Sequence, residues 1–325
     1  MNSAGIKQKA AELGFDACGI APAEAHAELA FFERWLAQGY AGEMAYLARS
    51  ADRRADVRRV MPSARAVIVT ATCYNTDRPY SIECADPERA HVSRYAWGDD
   101  YHEVVARRLD ALLAWMHASS AEPFQACRYV DTGPVQERVY ARRGGIGWIG
   151  RNSCVINPTL GSWLFLGEII CSLPLEVDQP ALDRCGTCTL CIEACPTRAI
   201  VAPGVVDATR CVSYLTIEQR GEIPEALIPG VGGRVYGCDV CQEVCPWNLA
   251  APVSGDRAWQ PRRVWDRRTI DELSCLSDAD LREGLRGSPM ARATRRGIRR
   301  NVAVARKNAE SRRRDVAARG QTPHG

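Results

Sequence analysis

Eight cysteines between residues 185 and 245 have the spacing of an iron–sulfur module. They form two runs and one single residue between them: Cys185-x2-Cys188-x2-Cys191-x3-Cys195-Pro196, Cys211, and Cys238-x2-Cys241-x3-Cys245-Pro246. In bacterial two-cluster ferredoxins the cysteine before the proline ligates the other cluster. The pattern therefore predicts two crossed [4Fe–4S] clusters, with electron transfer as their chemistry. The ligands predicted for the first cluster are Cys185, Cys188, Cys191 and Cys245.

The second cluster needs a ligand from outside the two runs. Cys238, Cys241 and the crossing Cys195 supply three thiolates, and Cys211 is predicted to be the fourth. Zinc is the alternative, and it would account for one set of four thiolates. It would not account for two groups of three cysteines that each take a fourth ligand from the Cys-Pro of the other run. The remaining cysteines lack cluster spacing and are expected to be small buried hydrophobes: Cys18, Cys73, Cys84, Cys127, Cys154, Cys171 and Cys275.

Length and composition indicate a soluble globular protein of two or three domains. The chain has 325 residues, of which 46% are hydrophobic and 25% charged. The polar N-terminus has no signal-peptide core, and no apolar stretch is long enough to span a bilayer. We therefore expect a cytoplasmic protein without a membrane partner, in a compartment where thiols stay reduced.

The formal net charge of +3 hides an asymmetry. Residues 282–325 contain thirteen basic and three acidic residues, a net charge of +10, so the rest of the chain carries −7. A basic end on an acidic body suggests a polyanionic partner. The alternative is a solvated, arginine-rich helical face.

Helices and a few short strands must position these residues. Apolar runs predict buried strands at residues 66–72, 124–130 and 163–171, and a helix at residues 99–117 capped by Asp99 or Asp100. Residues 4–60 are predicted to form amphipathic helices. This order indicates an α+β fold, and no G-x-G-x-x-G motif supports a Rossmann nucleotide site.

Composition divides the chain into three predicted domains, at residues 1–175, 176–250 and 251–325. The second is the cysteine module, which metal rather than an apolar core would hold together. The third is predicted to contain helices at residues 270–283 and 288–309, followed by a disordered tail from Ser311.

The densest polar cluster of the first domain follows its second predicted strand. Asp131-Thr-Gly-Pro134 puts a carboxylate at an exposed strand tip, and a loop with four glycines follows at residues 144–150. Glycines can let the backbone approach a large flat ligand. A structural Asx-turn and an ordinary glycine-rich loop are the alternative.

Several separate motifs together carry a resemblance to a known family. They are Arg94-Tyr-x-x-Gly-x-Asp-Tyr-His102, Asp131-Thr-Gly-Pro-Val-x-Glu-Arg138, Gly147-Trp-Ile-Gly-Arg-Asn152, Cys211-Val-Ser-Tyr-Leu-Thr-Ile-Glu218, Cys238-Asp-Val-Cys-Gln-x-Val-Cys-Pro-Trp-Asn248, Gly287-Ser-Pro289 and Arg300-Asn301. In this order they resemble the epoxyqueuosine reductase family, over about residues 5–308.

The resemblance implies a cobalamin-dependent enzyme with two [4Fe–4S] clusters. Such enzymes reduce the epoxide of epoxyqueuosine to queuosine at the tRNA wobble position, the final step of queuosine biosynthesis. The implied fold is a cobalamin-binding α/β domain resembling reductive dehalogenases, a ferredoxin-like domain and a short HEAT-like helical region. The expected partners are the anticodon loop of tRNA carrying epoxyqueuosine and an external low-potential electron donor, with the protein acting as a monomer.

The resemblance also implies roles for particular residues. Asp131 would donate a proton to the departing oxygen, since a poorly solvated pocket can keep a carboxyl group protonated near neutrality. The residues implied to contact cobalamin, each of which could instead be a surface or capping residue, are Arg54, Tyr95, Asp131, Asn152, Ser153, Ser213 and Arg220. No D-x-H-x-x-G sequence occurs, so a histidine ligand to cobalt is not expected. The histidines predicted to be structural are His91, His102 and His117.

The basic C-terminal helix would then face tRNA phosphates. The residues predicted to do so are Arg292, Arg295, Arg296, Arg299 and Arg300. Two other functions are considered. A corrinoid reductive dehalogenase would use the same electron path, but the twin-arginine export signal is missing. A simple electron carrier would not need the large first domain.

Overall fold

The computed structural model describes the backbone of residues 2–319 and the side chains of residues 2–314. Its strands are β1 Ala17–Pro22, β2 Ala66–Cys73, β3 His91–Val92, β4 Ala126–Tyr129, β5 Trp148–Ile149, β6 Val155–Ile156, β7 Leu164–Cys171, β8 Ile200–Ala202, β9 Val205–Val206 and β10 Arg234–Tyr236. Its helices are α1 Ser3–Glu12, α2 Phe31–Ala37, α3 Ala45–Arg49, α4 Ala51–Ala55, α5 Tyr101–Ser119, α6 Glu137–Arg143, α7 Leu190–Glu193, α8 Val212–Ile217, α9 Ile228–Val231, α10 Val240–Glu243, α11 Ile270–Ser274, α12 Asp278–Leu285 and α13 Thr294–Arg319.

A four-stranded antiparallel sheet organises the first part of the chain, with strand order β1-β2-β7-β4. Alternate residues of each strand point to opposite faces. On one face Ile68 packs in a core with Leu109 and Met116 of α5. On the other face Val69 packs in a second core with Val139 of α6. The two helices thereby cover the two faces of the sheet.

The three predicted strands are confirmed as β2, β4 and β7, and the predicted helix is α5 with Asp100 as its N-cap. The prediction that residues 4–60 are helical is wrong in one place, since β1 lies within that range. Its segment ACGIAP has small residues and no β-branched run, so propensity does not reveal it. Gly19 is required there because a Cβ would lie 1.9 Å from the carbonyl oxygen of Gly144.

The cysteine module contains little regular structure, namely the short helices α7, α8, α9 and α10 and the β8–β9 hairpin. Its strand β10 pairs in parallel with β3, which comes from much earlier in the chain. The module is therefore tied to the first part of the chain by a ladder between distant segments. The domain boundaries after residues 175 and 250 stay predictions.

Helix α13 packs across the module and carries the C-terminal core. Ile298, Val302 and Ala305 are buried along one of its faces. The predicted disorder from Ser311 is wrong as far as Arg319, because the helix continues to that residue. Arg312 donates to the carbonyl of Pro87, which holds this part of the helix against the body. Residues 320–325, the rest of the predicted tail, lie outside the described residues.

Along residues 2–319, no helix combines the length and the apolar character needed to cross a membrane.

Candidate functional site

The eight spaced cysteines fall into two sets according to which thiols influence one another's pKa. Among the described residues, no three His, Cys, Asp or Glu side chains lie close enough together to hold a single metal ion. In the first set, burial and then the charges of neighbouring thiols raise the pKa of Cys191 to about 11. The neighbours concerned are Cys245, Cys185 and Cys188. The indole of Trp148 donates to the sulfur of Cys185 at 3.4 Å and packs against Trp247. Two tryptophans therefore shield this group on one side.

The second group contains the other four spaced cysteines. Burial is the main reason why the pKa of Cys211 is raised, and Cys195 adds to the effect. Burial likewise raises the pKa of Cys238 to about 12, and the charge of Cys211 adds to this effect. The charges of Cys238 and Cys211 also raise the pKa of Cys241. Thiols in such surroundings ionise only beside positive charge, which iron would supply. Both groups are thus suited to clusters in their chemistry.

Cys154 differs from the expectation for cysteines without cluster spacing. Its thiol donates to the carbonyl of Asn152 at 3.9 Å and raises the pKa of Cys241, a member of the second group. Asn152 fixes the arrangement, since its amide donates to the carbonyl of Cys241 at 3.1 Å and accepts from the backbone N–H of Cys154 at 3.1 Å. Spacing could not reveal this neighbour because the fold alone brings it there.

Asp131 lies at the centre of a hydrogen-bonded network at the start of α5. Its Oδ2 accepts from the Tyr101 hydroxyl at 2.9 Å and lies 3.2 Å from Nε2 of His102. Nδ1 of His102 lies 2.7 Å from Oδ1 of Asp100, the N-cap residue. Asp131 itself has a φ of 55°, a left-handed backbone that is costly for a residue other than glycine. About half of its side chain (52%) remains accessible.

The charges in this network are opposite to the sequence-based expectation for Asp131. Burial lowers the pKa of His102, but hydrogen bonds and charges from Asp100 and Asp131 outweigh it and raise the pKa to about 9. Burial raises the pKa of Asp131, but His102 and Tyr101 outweigh it and hold the pKa below its ordinary value. The proton of the pair therefore resides on His102 at neutral pH. The sequence predicted His102 to be structural rather than a cobalt ligand, and did not reveal its place beside Asp131.

Two of the residues implied to contact cobalamin lie close to Asp131. Arg54 donates to the carbonyl of Val135 at 2.8 Å, and the negative charges of Glu137 and Asp131 oppose the lowering of its pKa by burial. Tyr95 is half-buried and packs against Tyr101, with ring centroids 6.1 Å apart. Both residues thus border the carboxylate.

The other four lie elsewhere around the module. Asn152 is buried and bonded within the second cysteine group, as described. Ser153 donates to the carbonyl of Gly204 at 2.9 Å. Ser213 follows Cys211 and hydrogen-bonds its thiol. Arg220 donates to the carbonyl of Arg292 at 3.0 Å. Asn152 and Ser153 therefore connect the glycine-rich loop to the module.

A chain of tyrosines joins the second cysteine group to Asp131. Tyr236 precedes Cys238 by two residues, and its hydroxyl lies 3.1 Å from that of Tyr95. Tyr95 packs on Tyr101, which donates to Asp131. Sequence reasoning missed Tyr101 and Tyr236. Tyr236 comes from a segment 141 residues after its partner Tyr95, so the sequence gives no sign that they meet. Tyr101 lay inside a quoted motif, which was the available signal.

The glycine-rich loop packs against protein rather than offering an open surface. A Cβ on Gly147 would lie 2.3 Å from the carbonyl oxygen of Ile156, and one on Gly150 would lie 2.5 Å from the Ile156 side chain. These glycines are required by the β5–β6 hairpin. Close packing thus accounts for Gly147 and Gly150 and favours the structural alternative there. The interpretation of the loop as a cradle for a flat ligand stays a prediction.

The five C-terminal arginines do not all face solvent. Arg292 makes two 2.8 Å hydrogen bonds to the carboxylate of Glu218, and Arg300 donates to backbone carbonyls, among them that of Gln219 at 2.7 Å. These two side chains hold the fold together. The other three, with Asp278 and Thr294, line an open depression of about 390 Å³ at the start of α13: Arg295, Arg296 and Arg299.

Comparison with known proteins identifies both halves of this site. Residues 184–248 match the family model described as a 4Fe-4S double cluster binding domain. Residues 54–132 match the model described as epoxyqueuosine reductase QueG, DUF1730. The chain is 46% identical over 312 residues to the epoxyqueuosine reductase of Gloeobacter violaceus, covering 93% of this chain and 95% of that protein.

Solved structures agree with these matches. A crystal structure of epoxyqueuosine reductase with an epoxyqueuosine-modified tRNA-Tyr stem loop has a TM-score of 0.83 and 29% identity, covering 94% of this chain and 81% of that one. The Bacillus subtilis enzyme, with its catalytic aspartate loop swung out of the active site, has a TM-score of 0.83 and 28% identity at the same coverage. The α+β fold with its double-cluster module is the fold of these enzymes.

Proposed function

Because this chain belongs to the epoxyqueuosine reductase family, we propose that it reduces the epoxide of epoxyqueuosine in tRNA to the alkene of queuosine. The epoxide oxygen leaves as water, so each turnover consumes two electrons and two protons. The observation that carries this proposal is the network of Asp100, His102 and Asp131, joined by tyrosines to the second cysteine group. A proton source and an electron source thereby meet at one carboxylate.

We propose that the two [4Fe–4S] clusters take electrons from an external low-potential donor. The proposed ligands of the first cluster are Cys185, Cys188, Cys191 and Cys245, and those of the second are Cys195, Cys211, Cys238 and Cys241. The mutual influence of the thiols within each set supports this division. The second cluster would be the one that delivers electrons toward Asp131, since Tyr236 adjoins Cys238.

Cobalamin is the proposed cofactor between that cluster and the substrate. The donors on the accessible side of Asp131 fit it, since the Arg54 guanidinium and the Tyr46 hydroxyl suit the amides and the phosphate of a corrinoid. When bound, cobalamin would supply a strongly nucleophilic, low-valent metal. The proposed contacts are Arg54, Tyr95, Asp131, Asn152, Ser153, Ser213 and Arg220.

The proposed role of Asp131 is to pass a proton to the departing oxygen. His102 would load it, because the imidazole carries the proton of the pair at neutral pH and its Nε2 adjoins the carboxylate. Asp100 orients the ring through Nδ1. Tyr101 donates to the same oxygen and steadies the carboxylate between transfers.

The tRNA anticodon loop would approach from the side where α13 begins. Arg295, Arg296 and Arg299 are the proposed phosphate contacts, since their depression is open and its basic side chains outnumber Asp278 three to one. We also propose that the protein acts as a cytoplasmic monomer, with residues 1–175 for catalysis, 176–250 for the clusters and 251–325 for tRNA.

Turnover by anaerobically reconstituted protein tests this function. Epoxyqueuosine-containing tRNA is incubated with dithionite as donor, with cobalamin present or absent, and the nucleosides are analysed by mass spectrometry. Queuosine formed only with cobalamin would establish reaction and cofactor together. A protein with full iron and bound corrinoid that forms no queuosine would contradict the proposal, and release of halide from haloaromatics would then identify a dehalogenase.

A further inference from the structure

A fully buried glutamate lies behind the proposed active site. Glu168 is 1% exposed and sits in the middle of β7, where it pairs with Val69 on one side and Tyr129 on the other. Leu166 and Ile170 lie on the same face of the strand, in the core that α6 covers. The carboxyl group therefore points into the layer between the sheet and α6.

Nothing in this layer compensates a negative charge on Glu168. Its Oε1 finds no hydrogen-bond partner within the described part of the chain, residues 2–319. An ionised carboxylate in such surroundings would be very costly. Burial, with the charges of Glu137 and Asp131, raises the pKa of Glu168 well above its ordinary value. The group is a neutral acid that carries a proton.

A second, half-buried acid, Glu137, belongs to the helix that covers Glu168. It lies in the first turn of α6, the helix that packs on β7. Burial and the charge of Asp131 raise the pKa of Glu137 to about 7. The positive charges of Arg138 and Arg54 and the backbone N–H of Asp131 act in the opposite direction. The sheet register places Glu168 opposite Tyr129, two residues before Asp131. The charges of Glu137 and Asp131 help to raise the pKa of Glu168, and that of Asp131 helps to raise the pKa of Glu137. This coupling links the two glutamates to an accessible carboxylate.

We propose that Glu168 and Glu137 form a buried proton store that supplies, through Asp131, one of the two protons consumed in each reduction. This inference rests on the proposed function, whose stoichiometry needs more protons than one His102–Asp131 pair holds. The first proton passes from His102 through Asp131 to the oxygen as one C–O bond breaks. The second passes from Glu137 through Asp131 as the other C–O bond breaks and water leaves.

Electrons and protons balance in this scheme. The two electrons come from the reduced clusters, and Glu168 returns a proton to Glu137 after the second transfer. The accessible face of Asp131 then admits two protons from solvent, which reload His102 and the store. Glu137 and Glu168 touch no reacting atom, so they act by keeping Asp131 supplied.

Replacement of each glutamate by glutamine tests the store. Glu168→Gln keeps the shape of the neutral acid. Glu137→Gln changes a less buried position, so the test can continue with one variant if the other does not fold. The matched control is Thr72→Val, because Oγ1 of Thr72 is also buried without a hydrogen-bond partner among residues 2–319 but lies on the opposite face of the sheet. Clusters, corrinoid and tRNA are present in all the rate measurements.

Two readouts are combined. Infrared spectra of the protein without substrate should contain a protonated-carboxyl band that Glu168→Gln removes and Thr72→Val retains. Single-turnover rates of both glutamine variants should fall about tenfold or more. The decline of the wild-type rate as pH rises through about 7, where Glu137 loses its proton, should disappear in Glu137→Gln. A merely structural role would lower stability and leave the pH profile unchanged.

An unchanged carboxyl band in Glu168→Gln, or wild-type rates and pH profiles in both variants, would overturn the proposal. Wild-type protein that forms no queuosine would instead remove the proposed function, and the catalytic part of this inference with it. The infrared band needs no substrate, so it separates the two failures.

Discussion

Nε2 of His102 lies 3.2 Å from Oδ2 of Asp131, while Nδ1 of the same ring lies 2.7 Å from Oδ1 of Asp100. One imidazole thus bridges two carboxylates at the start of α5. The arrangement keeps the ring protonated at neutral pH. The proton donor is therefore the coupled pair of His102 and Asp131 and not one of these residues alone.

The pH dependence of stability should report this protonated histidine. The folded pKa of His102 is about 9, above its ordinary value of 6.5. A raised pKa stabilises the fold fully below pH 6.5, and this contribution is lost as pH rises through about 9. We expect it to be about 1 kcal/mol, reduced by the partial exposure of the ring, or on the order of 2 °C in Tm.

Thermal unfolding of the wild type and of His102→Gln between pH 6.5 and about 9 measures this contribution. The difference in Tm between the two proteins should shrink toward the alkaline end. His117→Gln is the control, since His117 stacks on Phe124 outside the network. A difference that stays constant with pH would mean that His102 is not charged.

Asp131→Asn should abolish turnover while clusters and corrinoid remain bound. The amide cannot carry a proton from His102 to the substrate, so we expect the rate to fall by a factor of about 10² to 10⁴. Asp110→Asn is the matched control, since Asp110 is a surface carboxylate paired with Arg128. Single-turnover kinetics with iron and corrinoid analysis decide, and an unaltered rate would remove Asp131 from the mechanism.

Cys211→Ala should lose about half of the iron, because it leaves the second cluster with three thiolates. Cys275→Ser should keep all of it, since Cys275 is exposed and outside both groups. Full iron in the first variant would show that another thiol closes the cluster. Cys154, which influences the pKa of Cys241, is the candidate for that thiol. The double variant lacking Cys154 and Cys211 should then lose the second cluster.

Charge reversal at Arg295 and Arg296 should weaken tRNA binding and reduce the slope of log affinity against log salt by about two. Arg300 is not suitable for this test, because its guanidinium is bonded to backbone carbonyls and its loss would disturb the fold. Lys9→Glu, on α1, controls for net charge. Identical salt slopes in all the proteins would exclude the depression as a phosphate site.

Much of this fold could be predicted because its signals are local. Strand β2 is an unbroken apolar run, and α5 has helical periodicity behind an aspartate cap. The cysteine spacing likewise predicts two sets of four ligands, and this division stays a prediction. Strand β1 has no such signal, since its small residues are selected by close contact with Gly144.

The charges of the site could not be predicted in the same way. Poor solvation alone would leave the proton on Asp131, but a histidine and a tyrosine 29 and 30 residues earlier in the chain reverse that result. The arginines of α13 illustrate the same limit. The composition of the sequence does not distinguish one arginine from another. Partners from distant segments hold Arg292 and Arg300 against the fold, whereas Arg296 is exposed.

Helix α13 holds the cysteine module through two asparagines. Asn301 donates to the carbonyls of Thr216 and Val235, and Asn308 donates to those of Ile228 and Gly232. These carbonyls belong to the segments between Cys211 and Cys238. During translation this part of the module lacks its hydrogen-bond donors until residue 308 has left the ribosome. The last of these donors becomes available only with a helix that contains none of the predicted cluster ligands.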